Sequence, residues 1–133
     1  MRVLSKVSPE SDIAYLYISG KVSGRLDFSA WTEILQTSIV RIKKSKMVKS
    51  HMHLPVQRET SGTQETWIVQ KGRGIATFFD LDGTKLIEVK LSRGSVALLL
   101  RGGHSLKALS SNFTIVEVKN GPYQGEEFDR VPI

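Results

Sequence analysis

Turn signals recur along this chain at intervals of roughly 8–12 residues, a rhythm that specifies an antiparallel sandwich or barrel. Between the turns lie short runs rich in Val, Ile, Leu, Phe and Thr. Strands are expected over 12–18, 36–48, 65–70, 75–79, 85–91, 95–100, 106–109 and 112–119. Asp82-Gly83, between two such runs, is a hairpin signal, because Gly readily adopts the positive φ that a tight hairpin turn requires. The glycine-containing stretch 21–26 and the polar stretch 54–64 read as loops. One short helix is expected over 27–35, with Asp27 as its cap. From 120 to 133 the chain reads as an irregular tail.

The chain has 133 residues, the usual size of a single domain. One domain over 1–133 is expected, with its core in 36–119 and an N-terminal strand at 12–18. No apolar run reaches the roughly 18 residues that a membrane helix needs. The first residues, Met1-Arg2-Val3-Leu4-Ser5-Lys6, lack the apolar stretch of a secretory signal. A cytoplasmic protein without membrane contact is expected. The absence of cysteine excludes disulfides, thiolate ligands and cysteine nucleophiles.

The formal charge is +6, and part of it is concentrated in Arg41, Lys43, Lys44, Lys46 and Lys49. Such a run can contact phosphates, but lysines also guard an edge strand against unwanted pairing. No Cys/His finger, helix-turn-helix pattern or aromatic strand motif accompanies it, so no nucleic-acid partner is expected.

The three histidines, His51, His53 and His104, carry the chemistry. On a strand, residues two apart share a face. His51 and His53 would then point the same way, with Met52 opposite. Glu65 shares its face with Trp67 and Val69, and an unpaired carboxylate on an apolar face is costly. A cation relieves that cost. His104 follows Arg101-Gly102-Gly103, where the glycines let the backbone bend and aim the imidazole inward. His51, His53, Glu65 and His104 are therefore the candidate ligands of one divalent metal ion. Nitrogen and oxygen donors of this kind do not choose among iron, manganese, nickel and zinc.

These residues resemble the two motifs of the cupin superfamily. The first motif is His-x-His, then Glu, six residues and Gly; here it is matched by His51-Met52-His53 and by Glu65, the six residues Thr66 to Lys71, and Gly72. Eleven residues separate His53 from Glu65 where the family usually has only a few, and the motif's leading Gly is missing. The second motif is matched by Gly94, the apolar run 95–99, Leu100-Arg101-Gly102 and His104. Leu100 stands where Pro is usual, His104 comes one residue early, and the Asn that often follows it is absent. The stretch 117–123 and the Gly102-Gly103-His104 turn look like those of small cupins tied to surface-polysaccharide or sugar-nucleotide metabolism. The resemblance implies an all-β double-stranded β-helix, a jelly-roll barrel holding the metal in one mouth.

Three imidazoles and one carboxylate leave a divalent ion with a net charge of +1 and open positions for water or substrate. A small anionic ligand, a sugar or carboxylate, is the expected partner. Arg58 and Arg101 are candidate clamps for it. Gln57, Trp67 and Tyr123 are candidate pocket residues, with Gln64 pointing away from Glu65; all are residue types that more often serve at surfaces or in packing. A metal-dependent enzyme is the leading expectation, with a non-catalytic metal- or ligand-binding module as the alternative. Exposed barrel edges and the N-terminal strand point to a homodimer.

Overall fold

The computed structural model describes residues 1–18 and 20–133. Ten strands follow in order: β1 (Arg2–Leu4), β2 (Asp12–Tyr17), β3 (Arg25–Asp27), β4 (Ser38–Val40), β5 (Glu65–Lys71), β6 (Arg73–Phe79), β7 (Lys85–Ser92), β8 (Val96–Leu99), β9 (Gly103–Ala108) and β10 (Thr114–Lys119). One helical turn, α1 (Glu126–Asp129), lies near the C-terminus. The fold is all-β, and no helix among the described residues is long and apolar enough to cross a membrane.

All pairings are antiparallel. A five-stranded sheet runs β1-β2-β8-β5-β10, a three-stranded sheet runs β7-β6-β9, and β3 and β4 form a ribbon. Trp67 and Val69 of β5, Ala97 and Leu99 of β8, Ala76 and Phe78 of β6, and Leu91 of β7 join in one core. Their spacing of two puts them on the same face of each strand. β8 departs from that alternation because both of its faces are buried. Leu98 packs with Tyr15 and Leu100 on the outer side, under Phe28, Ala30 and Leu35. That second cover explains its unbroken apolar run.

The 27–35 helix does not form. Asp27 ends β3 and pairs with Arg25 at 2.7 Å instead of capping a helix. Phe28, Ala30 and Leu35 are used to cover β8, and Gln36 closes the irregular connection by donating to the carbonyls of Ala30 and Glu33. The expected strand 36–48 is reduced to Ser38–Val40. Beyond it, Lys43 and Lys44 fall on opposite faces of any extended strand, so neither face can be buried cheaply. Every residue from 40 to 63 is exposed. The tail, expected to be irregular, contains α1, and the short β1 and β3 lie outside the expected strands.

The Asp82-Gly83 hairpin joins β6 to β7, with Gly83 at φ 82°. Asp80 in this turn is 2% exposed. Its carboxylate accepts hydrogen bonds from Ser5 Oγ (2.5 Å) and from the backbone N–H of Lys6 (2.6 Å), Leu81 (2.8 Å) and Val7 (3.3 Å). The turn is thereby tied to the N-terminal segment. Burial pushes this carboxyl's pKa up, but the hydrogen bonds from Ser5, Lys6, Leu81 and Val7 outweigh it and hold it down to about 2. A lowered carboxyl pKa gives stability that is complete above the ordinary 3.8 and is lost as pH falls toward about 2. Asp80→Asn is therefore expected to melt lower at neutral pH and to lose less on acidification through that window. Thermal melts by circular dichroism across the acid range check this, and identical acid limbs for the two proteins would refute it.

Candidate functional site

Glu65 opens β5 and His104 is the second residue of β9, so the site spans both larger sheets. Gly102 makes the approach to β9 with φ 69°, a left-handed backbone that glycine adopts without strain. His104 then falls in register with Phe78, on the inward face of β6. The imidazole Nε2 of His104 lies 3.0 Å from Oε1 of Glu65. The indole N–H of Trp67 donates to Oε2 of Glu65 at 3.2 Å. Trp67 also stands edge-on to the His104 ring, with centroids 5.1 Å apart. Both carboxylate oxygens are thus engaged. The hydrogen bond with His104 is the main influence drawing the Glu65 pKa down to about 2, against the opposing effect of burial; the charges of His104 and Lys119 and the Trp67 bond assist.

These three side chains line a cavity of about 680 Å³. β10 supplies another wall: Lys119 and Glu117 are register partners of Glu65 and Trp67, so their side chains share the inward face. The tail crosses this cavity with Asp129, Arg130, Val131 and Ile133 in its lining. Asp129 accepts a hydrogen bond from Thr63 Oγ1 at 2.7 Å and sits 3.8 Å from the ammonium of Lys119.

His51 and His53 stand elsewhere. They lie on the exposed segment 40–63, on no strand, with ring centroids 5.3 Å apart. The strand alternation expected to hide Met52 is absent, and Met52 is 93% exposed. The four expected ligands are therefore placed as two pairs, Glu65 with His104 and His51 with His53. Among the described residues no three His, Asp or Glu side chains are grouped to hold an ion.

The expected clamps are also apart from the cavity. Arg101 donates to the Asp12 carbonyl at 2.6 Å and to the Glu33 carboxylate at 3.1 and 3.2 Å. It lines a second cavity of about 490 Å³ with Gln64, whose side chain bonds Glu33 (2.6 Å) and the N–H of Leu35 (3.0 Å). The Gly102 turn separates Arg101 from His104 and leaves the guanidinium in a structural network. Gln57 and Arg58 are exposed and line neither cavity; their segment reaches the second cavity only from Glu59 onward. Tyr123 is exposed, with the Lys119 ammonium 5.6 Å from its ring centre.

Sequence reasoning missed Lys119, Glu117 and Asp129. The alternation in 114–119 marked two of them as sharing a face, but which face met Glu65 depends on strand register. No local signal marked Asp129. Searches against family models, curated proteins and solved structures return no match to this chain.

Proposed function

We propose that this protein is a cupin-type, metal-dependent protein acting on a small anionic metabolite, a sugar or a carboxylate. The observation that carries the reading is the Glu65–His104 pair, 3.0 Å apart on the wall of a cavity large enough for such a ligand. The donor chemistry fits a divalent ion. Glu65 is held ionised, as ligation requires, and Trp67 fixes its second oxygen as an outer-shell partner would.

The double-stranded β-helix is the matching fold. Its support is a topological incompleteness: β9 and β10 each end a sheet with one free edge, and both border the cavity. A free edge is a template for another strand. If 47–54, beyond Lys43 and Lys44, pairs there, His51 and His53 share one face, and Met52 and Leu54 the other. Closure of that segment onto β9 would bring the two imidazoles to His104's sheet. The resident ion would then polarise a bound carbonyl or acidify a bound water. The protein's own groups orient the ligand: Trp67 packs against it, and Lys119 supplies positive charge.

Elemental analysis of untagged protein, purified without added metal, tests this. About one ion per chain is expected, falling to a small residue in His104→Ala and Glu65→Gln. The paired variant His51→Ala/His53→Ala is expected to lose metal as well. Metal content unchanged by His104→Ala sinks the reading. Turnover on a metabolite panel that survives chelation rejects the enzymatic form, and saturable ligand binding without product favours a binding module.

A further inference from the structure

The tail over the cavity is held by few contacts. α1 has four residues, none buried, and no side-chain cap at its start. It is attached through Asp129, which Thr63 and Lys119 grip, through Tyr123, whose ring lies 5.6 Å from the Lys119 ammonium, and through Ile133, whose side chain lies against Gly103. Few buried contacts and one loose ion pair mark the segment as one that opens without disturbing the sheets. Lys119 is the cation facing Glu65 from the opposite strand, and it is also flanked by Glu117 at 3.4 Å. Asp129 thus places a carboxylate against a cavity cation, where an anionic ligand would need its own acidic group to go.

We propose that residues 121–133 form a displaceable strap, that Asp129 occupies the anion subsite on Lys119, and that a ligand carboxylate enters by exchanging with it. Lys119 is then the residue that selects for an anion, and the strap keeps the cavity closed until one arrives. This deepens the reading of the cavity given above and rests on its anionic ligand class.

Trp67, 4% exposed on the cavity wall, is a built-in reporter once Trp31, 87% exposed, is replaced by Phe. Quenching is measured on the full chain with chelator present throughout, using acrylamide as a neutral probe and iodide as an anionic one at constant ionic strength. In the Trp31→Phe background, Asp129→Asn is expected to raise acrylamide quenching of Trp67 by about threefold, as removal of one weak latch should. Iodide quenching should rise further, and adding Lys119→Gln should abolish that excess. Should Asp129→Asn fail to fold, Thr63→Val takes its place, since it removes the other partner of Asp129. Quenching unchanged in a folded variant overturns the strap, and an iodide excess that survives Lys119→Gln overturns the anion subsite. Because these measurements exclude metal, their failure leaves the metal reading intact, and absence of bound metal in elemental analysis leaves the strap intact.

Discussion

Phe78→Ala will cost about 3–5 kcal/mol, the range for truncating a fully buried aromatic ring. Phe78 is 1% exposed and lies in the core formed between the two larger sheets. Its loss removes the ring's transfer free energy and leaves a void that β6 cannot collapse to fill, because β6 is paired on both edges, with β7 and β9. The effect reaches the site, since Phe78 is the register partner of His104. Urea unfolding with an unchanged m-value should report the loss as a shift in midpoint. A loss below about 1 kcal/mol would mean that this ring is not buried as described.

Gly102→Ala is expected to cost about 3 kcal/mol by two additive routes. The left-handed backbone at φ 69° alone penalises an L-residue by about 1–2 kcal/mol. The new methyl would also lie 2.5 Å from the Phe79 carbonyl oxygen and 3.2 Å from Ile13 Cδ1. That carbonyl is backbone, fixed where the β6–β9 register ends at Phe79 and Gly103, so it cannot swing away as a side chain would. Gly94→Ala separates the two terms. Gly94 has φ 87° but nothing within 4 Å of its added methyl, so it should show the conformational cost alone. Equal losses in the two variants, read from thermal or urea melts, would contradict the clash.

The strands with core residues two apart were legible. The expected 65–70 and 75–79 are found at Glu65–Lys71 and Arg73–Phe79, and Asp82-Gly83 turns the hairpin between β6 and β7. Periodicity reads these because core residues recur two apart, Trp67 and Val69 in β5 and Ala76 and Phe78 in β6, although Thr66 and Thr77 on the other face are buried as well. Sequence alone misreads 27–35, where Asp27 reads as a helix cap but ends β3, and Phe28, Ala30 and Leu35 serve as a cover laid over β8. It also overextends β4, because β-propensity in 36–48 says nothing about whether a partner strand is available. The pairing of Glu65 with His104 was within reach, since the Trp67–Val69 parity and the glycine bend set both directions locally. Lys119 was not, because its position opposite Glu65 comes from a register between strands more than forty residues apart. Arg101 shows the converse: proximity in sequence to His104 put it on the list of clamps, and one left-handed glycine put it in a different network.

The segment between β4 and β5 is pinned at both ends and touches little between them. Arg41 N–H donates to the Gly24 carbonyl at 2.7 Å. At the other end Asn120 accepts from the Gln64 N–H at 2.7 Å and donates to the Gly62 carbonyl at 3.0 Å. With its ends fixed, the closure cost of such a loop grows only logarithmically, about 0.6 kcal/mol for each doubling of length. Inserted residues are thus nearly free thermodynamically, and the stretch between Val40 and Gln64 can change length at little cost to the fold. Sequence drift in this exposed stretch should leave the melting temperature nearly where it is, so its composition and the stability of the sheets are separately adjustable.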